Sequence, residues 1–184
     1  MFNLPEKTPW RQWAPLPLRL IIGYGFMAHG WAKLSRGPAE FAKLLEYTGT
    51  PQPEITAWVS TFIEILGGLA ILAGAFVAAV SVPLIVMMLV AMFTVHLRYG
   101  FSAINTIGLT ADGPQFGPPG IEVNLLYIAC LVALMLGGAG IFSIDQLRAR
   151  SHGENTRHIP AASTPGVGAA EGKGWGTVSE RPRR

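Results

Sequence analysis

Three ionisable residues lie inside long apolar runs of this 184-residue chain. They are His29 in "FMAHGWAKL", Glu64 in "FIEILGG" and His96 in "FTVHLRYG". An ionisable side chain within a membrane costs a few kcal/mol on insertion scales, so such residues usually serve binding, proton transfer or helix association. An imidazole can donate a hydrogen bond and a carboxylate can accept a proton, so these residue types suit proton-coupled chemistry.

Three further polar residues belong with this group. Lys33 follows His29 by four residues, which places both on one helical face. Glu122 and Asn124 open the last apolar run of the chain. The candidates for a binding pocket and for proton handling are therefore His29, Lys33, Glu64, His96, Glu122 and Asn124.

Each candidate also has a structural interpretation. Lys33 could extend its ammonium group to the lipid headgroups from a helix end, and His29 could donate to a backbone carbonyl. Glu64 could be a protonated or paired carboxyl group that joins two helices. His96 could mark the point where its helix leaves the membrane. Glu122 is explained by the favourable dipole at a helix start.

Composition indicates which elements must position these residues. Half of the residues are hydrophobic and 14% are charged, whereas about a quarter of the residues in a soluble domain are charged. Apolar residues run continuously rather than alternating, which favours helices over barrel strands. The sequence therefore predicts an all-α membrane protein, an antiparallel bundle of four transmembrane helices. The predicted spans cover about residues 16–36, 55–76, 81–100 and 121–141, each near the 20 residues that cross a bilayer.

The connecting segments differ in character. Gly74 suits the end of the second helix, and Ser81 with Pro83 suits the start of the third. Residues 37–54 carry a short amphipathic pattern that predicts a small interfacial helix. Residues 101–120 are rich in Gly and Pro and predict a loop.

The two ends of the chain are predicted to lie outside the bundle. Residues 1–15 are expected to form an N-terminal interfacial segment before the membrane domain of residues 16–150. Residues 151–184 predict a disordered basic tail, because they are small and polar and lack an apolar face.

Helix geometry predicts that the candidates share a depth. With a rise of 1.5 Å per residue, His29 lies roughly 10 Å, Glu64 roughly 13 Å and His96 roughly 6 Å from the outer ends of their spans. Glu122 and Asn124 begin the fourth span from the same side. We therefore expect a polar pocket in the outer half of the bundle.

The distribution of Lys and Arg near the spans predicts the orientation. Six lie on the side of the termini and four on the other, which favours cytoplasmic termini in a multi-pass protein. The six are Lys7, Arg11, Arg19, Arg148, Arg150 and Arg157, and the four are Lys33, Arg36, Lys43 and Arg98.

Other features limit the function classes. The N-terminal segment lacks the pattern of a cleaved signal peptide, so the first span is expected to be retained. The sequence pI of about 9.3 comes from scattered residues that suit anionic lipid headgroups, so the bilayer is the expected partner and nucleic acid is not. A single cysteine, Cys130, provides neither a disulfide nor a cysteine metal site, and no metal is predicted.

Four segments together identify a family resemblance. "LRLIIGYGFMAHGWAKL", "FIEILGGLAILAG", "AMFTVHLRYGF" and "GIEVNLLYIA" resemble the DoxX family of small four-helix bacterial membrane proteins, over about residues 17–147. The resemblance implies a bacterial inner-membrane location and a four-helix bundle. Its polar positions would be Arg19, His29, Lys33, Glu64, His96 and Glu122. The chain departs from the family pattern at "GAFVAAVS", which lacks a basic residue often found there.

The family name derives from subunits of terminal oxidases and thiosulfate:quinone oxidoreductases, so the resemblance implies an accessory membrane subunit of a quinone- or sulfur-linked redox system. A partner protein would supply electrons, and quinone is the candidate cofactor. His29 or His96 would donate to a quinone oxygen, Glu64 would accept a proton, and Lys33 would stabilise charge. A haem held by His29 and His96 is a less favoured variant, because no other haem signal is present.

Two other function classes stay open. The first is a transporter for a small molecule or ion, although the sequence shows no inverted repeat or broken helix. The second is a membrane docking or assembly protein that has no chemistry of its own and uses the basic tail. The sequence contains no nucleotide-binding fingerprint and no motif for a catalytic nucleophile, which argues against a self-contained soluble enzyme.

Overall fold

The computed structural model describes residues 10–149. The predicted basic tail of residues 151–184 lies outside the described residues, as do the first nine residues of the predicted N-terminal interfacial segment. The described part is mostly helical, and one small sheet interrupts it. In chain order the elements are α1 (Trp10–Trp13), α2 (Pro15–Arg36), α3 (Pro38–Tyr47), α4 (Pro53–Ala73), α5 (Val77–Ala91), β1 (Thr106–Thr110), β2 (Gly113–Phe116) and α6 (Glu122–Gly137).

Proline and glycine set most of the helix boundaries. A proline opens each of α2, α3 and α4, where its missing N–H leaves no helical hydrogen bond unmade. Gly37, with φ of 91°, separates α2 from α3, and Gly74, with φ of 66°, ends α4 as its sequence context predicts. The short helix α3 occupies the segment in which the amphipathic pattern predicted one.

The third long helix begins earlier than predicted. The sequence placed its start near Ser81 and Pro83, but α5 begins at Val77 and contains Pro83 in its interior. The backbone N–H groups of Phe76 and Val77 donate to the carboxylate of Asp145 at 2.7 and 3.0 Å. Because this capping residue comes from a distant part of the chain, no local pattern could indicate it.

The four long helices share one apolar core. Its buried members come from α2, α4, α5 and α6 and from the segment after α6: Ile22, Phe26, Ile71, Val77, Leu84, Leu131, Leu134 and Ala139. Helices α2 and α4 approach each other closely at Gly23 and Gly68. A Cβ atom added at Gly68 would lie 2.7 Å from the carbonyl oxygen of Gly23, so small residues are required at this crossing.

Two helices within residues 10–149 are long and apolar enough to cross a membrane. They are α4, with 21 residues, and the 23-residue segment Val77–Tyr99, which continues α5. Helix α6 is apolar but has 16 residues, and α2 has 22 residues but includes Arg19, Lys33 and Arg36. Many large apolar side chains on these helices are exposed, among them Ile21, Leu66, Val86 and Leu136. This surface is typical of a membrane protein.

The segment between the third and fourth predicted spans contains a β-hairpin that the sequence did not predict. Strands β1 and β2 pair antiparallel, with Leu109 opposite Pro114 and Thr110 opposite Gly113. Gly113 has φ of 120°, a backbone conformation that glycine adopts readily, next to the turn. The abundance of Gly and Pro correctly predicted a loop on both sides of the hairpin. The same composition gave no sign of these short strands.

Candidate functional site

Lys33 and Glu64 form an ion pair between α2 and α4. The Lys33 Nζ atom lies 2.6 Å from Glu64 Oε1. The Glu64 side chain is 4% exposed and that of Lys33 is 19% exposed. Lys33 therefore points into the protein, against the interpretation that it reaches only for the lipid headgroups, and Glu64 is a paired carboxylate.

The second carboxylate oxygen of Glu64 has no partner in the described part of the chain. Oε2 is fully buried and accepts no hydrogen bond from any described residue. Buried polar atoms are nearly always hydrogen-bonded, and leaving one without a partner costs about 1–3 kcal/mol. Glu64 therefore has spare capacity to accept a hydrogen bond from a ligand.

A cleft of about 350 Å³ lies beside this ion pair, between α2 and α3. The Lys33 ammonium sits 4.3 Å from the centre of the Phe41 ring, where the face of the ring attracts a cation. The lining residues share the α2–α3 junction and are His29, Ala32, Lys33, Arg36, Gly37, Glu40, Phe41 and Leu44. We call this set the elbow cleft.

Glycine at position 30 allows Glu64 to reach this location. A Cβ atom added at Gly30 would lie 2.6 Å from Ile65 Cγ1 and 3.1 Å from Glu64 Cβ. The absence of a side chain therefore brings α4 against α2 directly below the turn that carries Lys33. Ser60 and Thr61, on the same buried face of α4, both donate to the carbonyl oxygen of Ala57, so their hydroxyl protons are not directed to Glu64.

His29 lies at the elbow cleft and is exposed. Its ring centre is 6.4 Å from that of Tyr127 in α6, in an edge-to-face arrangement. Tyr127 also packs edge-to-face on Phe26, and its hydroxyl group occupies the space left by Gly25. Sequence reasoning did not identify Tyr127, because a single tyrosine in an apolar span carries no distinctive signal.

The other three predicted site residues have hydrogen-bond partners outside the ion pair and the elbow cleft. His96, in a π-helical turn of residues Met92–His96, places Nδ1 2.9 Å from the carbonyl oxygen of Pro119. Glu122 accepts a hydrogen bond from the backbone N–H of Ala103 at 2.8 Å. Asn124 donates to the carbonyl oxygen of Met88 at 3.4 Å. These contacts hold the loop and join α5 to α6, so the six candidates divide into two groups.

The division also bears on metal and haem binding. Among residues 10–149, no group of three or more His, Cys, Asp or Glu residues could hold a metal ion. His29 contacts Tyr127, whereas His96 contacts Pro119, so the two imidazole rings have different neighbours.

A second buried charge lies at the opposite end of α2. The residue Arg19 is almost completely buried, with 1% of its surface exposed. It donates hydrogen bonds to five backbone carbonyl oxygens, those of Ile71, Leu72, Ala139, Ile141 and Phe142. We call this arrangement the Arg19 hub, and it ties the end of α4 to the segment that follows α6.

Comparison with known proteins gives one match. The DoxX family model matches residues 14–97, which include α2, α3, α4 and α5. The segment "GIEVNLLYIA", which the sequence resemblance also used, lies beyond the matched residues. No curated protein and no solved structure matches the chain. The matched part contains both members of the ion pair and Arg19, and the chain is similar to the DoxX family over residues 14–97.

Proposed function

We propose that the chain is a membrane subunit of a quinone- or sulfur-linked redox system, with its ligand site at the elbow cleft. The observation that carries the proposal is the buried carboxylate of Glu64, paired through one oxygen with Lys33 and unpartnered at the other. A carboxylate in this state can accept a hydrogen bond, and then a proton, from a bound hydroxyl group. The DoxX match over residues 14–97 supports a membrane protein linked to redox chemistry.

The proposal includes four membrane spans. Besides the two helices that meet the length and hydropathy requirements, α2 and α6 would also cross the bilayer. Both pack on the shared apolar core and expose large apolar residues, such as Ile21 on α2 and Leu126 on α6. Helix α3 would lie at the outer interface, with both termini cytoplasmic and residues 16–150 forming the membrane domain in a bacterial inner membrane.

The residues at the elbow cleft would have separate roles. The exposed imidazole of His29 would donate to a carbonyl oxygen of the ligand, and the Lys33 ammonium would stabilise developing negative charge. Glu64 would accept the proton. A quinone fits this donor set because it presents carbonyl oxygens on an otherwise apolar ring, which Phe41 and Leu44 could contact. Electrons would pass to or from a partner protein.

Quinone bound to the purified protein tests this proposal. Glu64→Gln keeps the shape of the side chain and removes its charge. The amount of copurifying quinone should therefore fall by about tenfold, the factor in affinity that one charged hydrogen bond contributes. Glu46→Gln is the matched control, because Glu46 is exposed on α3 and does not line the elbow cleft. Equal quinone contents in the wild type and both variants would contradict the redox site.

Transport of a small molecule is a second candidate function. The observation that favours it is the position of the elbow cleft beside a buried carboxylate whose counter-ion, Lys33, is itself partly exposed. Vesicles containing the wild-type protein would then accumulate a labelled solute, and vesicles containing Glu64→Gln would not. The same Glu46→Gln control applies.

A further inference from the structure

The ammonium group of Lys33 is held as proteins hold a small cationic ligand. On one side it meets the Glu64 carboxylate at 2.6 Å, and on another it lies 4.3 Å from the centre of the Phe41 ring. A carboxylate combined with an aromatic face is a common recognition set for cations, because both present negative potential in a partly desolvated space. The Lys33 ammonium therefore has the two contacts that proteins offer a bound cation.

Lys33 fills this site incompletely. Its amine contacts only Oε1 of Glu64, and the buried Oε2 has no donor in the described part of the chain. A planar cation with two parallel N–H groups can contact both oxygens of a carboxylate, which is the geometry of guanidinium–carboxylate pairs. Such a cation would satisfy the acceptor that Lys33 leaves unpaired.

The surrounding charges leave Glu64 as the available anion. Glu40, the carboxylate that lines the elbow cleft, already pairs with Lys43. Arg36 and His29 lie on the exposed rim of the cleft, where water screens their effect on an entering cation. A cleft of about 350 Å³ can contain a small organic molecule next to the pair.

We propose that the Lys33–Glu64 pair marks a recognition site for a small organic cation of the guanidinium class, and that Lys33 occupies this site in the absence of ligand. The site uses the same side chains as the redox proposal but requires neither a quinone nor an electron partner. An entering cation takes the place of the Lys33 ammonium beside Glu64, and the flexible stem of Lys33 lets its amine move into the elbow cleft.

Replacing Lys33, whose ammonium group competes with an added cation for Glu64, makes this proposal testable. A group tethered by a short flexible chain acts at an effective concentration in the millimolar range. The variant Lys33→Ala should therefore bind ethylguanidinium at a half-saturating concentration about tenfold or more below that of the wild type. The measurement is the thermal unfolding temperature of the full chain in detergent micelles, over a series of ethylguanidinium chloride concentrations.

Two controls separate binding from general salt effects. Tetramethylammonium chloride has the same charge and no N–H donors, so it should not stabilise Lys33→Ala in a saturable manner. The double variant Lys33→Ala/Glu64→Gln keeps the enlarged space without the carboxylate, so its half-saturating concentration for ethylguanidinium should rise by about tenfold or more. Arg98→Ala, which removes an exposed cation outside the lining of the elbow cleft, should respond to ethylguanidinium as the wild type does.

The proposal is overturned if the unfolding temperatures of Lys33→Ala and the double variant change by the same amount across the ethylguanidinium series. If Lys33→Ala does not fold alone, extraction from membranes in the presence of ethylguanidinium replaces the titration. Recovery of monodisperse Lys33→Ala by ethylguanidinium and not by tetramethylammonium supports the proposal, and equal recovery with either salt contradicts it. Neither readout depends on quinone content, so the redox proposal can fail or succeed separately.

Discussion

The two ends of α2 hold buried cations in contrasting ways. Arg19, near the start of the helix, donates to five backbone carbonyl oxygens and is almost completely buried. Lys33, about 21 Å away along the helix at 1.5 Å per residue, contacts one oxygen of one carboxylate. The same helix therefore carries one fully satisfied cation and one whose partner keeps a free acceptor.

This difference is the reason for assigning a structural role to one end of α2 and the proposed binding role to the other. A polar network in which every group is paired makes a packed region rigid, whereas an unsatisfied buried group is costly and usually has a functional reason. The Arg19 hub binds carbonyl groups that belong to helix ends and turns, so it fixes the chain path. The Lys33–Glu64 pair has the elbow cleft beside it, so a ligand can complete it.

The largest expected effect is at the Arg19 hub. Arg19→Met should destabilise the protein by about 3–5 kcal/mol, because five carbonyl groups lose a charged donor that the core cannot replace. For a chain of this length this corresponds to a fall of about 10 °C in the unfolding temperature. Thermal unfolding in detergent measures the change.

Two further variants show whether hydrogen-bond number or charge is responsible. Arg19→Lys keeps the charge but has at most three donors, so it should recover only part of the lost stability. Arg36→Met removes an exposed arginine from the other end of α2 and should change stability by less than about 0.5 kcal/mol. If Arg19→Lys is as stable as the wild type, the interpretation of Arg19 as a hydrogen-bonding hub is wrong.

The Lys33–Glu64 pair should show a smaller but measurable coupling between its two side chains. A double-mutant cycle with Lys33→Ala and Glu64→Gln should give an interaction energy of about 1–3 kcal/mol, as expected for a pair in direct contact. Each single change leaves a buried group without its partner, whereas the double change removes both charges. Unfolding temperatures of the four proteins provide the cycle.

The exposed pair on α3 is the matched control for that cycle. Lys43 and Glu40 have nearly the same separation, 2.7 Å, but their side chains are 69% and 64% exposed. Their coupling should be below about 1 kcal/mol, because water screens the charges. Equal coupling in both pairs would mean that burial does not strengthen the Lys33–Glu64 contact, which would remove the contrast between the ends of α2.

The sequence predicted the elements of this fold better than its contacts. Apolar runs located the long helices, and Gly74 marked the end of α4, because these signals are local. Spacing and depth indicated Glu64 and Lys33 separately, but Lys33 was expected to extend to the lipid headgroups. Their pairing depends on the close approach of α2 and α4 at Gly30, a tertiary feature that no periodicity contains.

Equal depth was an insufficient guide to contact. His96 and Glu122 were expected to face the same pocket as His29, because four helices were placed by their lengths alone. The backbone of the loop between α5 and α6 offers both residues nearer partners, at Pro119 and Ala103. Depth along a helix does not specify the direction of a side chain, and the hairpin within this loop was hidden by its Gly and Pro content.

The smallest expected effect is at Asp145, which lies in the segment after α6, close to the Arg19 hub. Its carboxylate accepts hydrogen bonds from the N–H groups of Phe76 and Val77 at the start of α5. Asp145→Asn keeps one acceptor oxygen and loses the charge that favours a helix N-terminus, so it should cost about 1 kcal/mol. Asp112→Asn, in the exposed turn of the hairpin, should cost almost nothing in the same unfolding assay. If Asp145→Asn weakens ligand binding at the elbow cleft while leaving the unfolding temperature unchanged, the two ends of α2 are not separate units. If Asp145→Asn lowers the unfolding temperature and leaves the affinity unchanged, the structural role belongs to the Arg19 hub and the binding role to the Lys33–Glu64 pair.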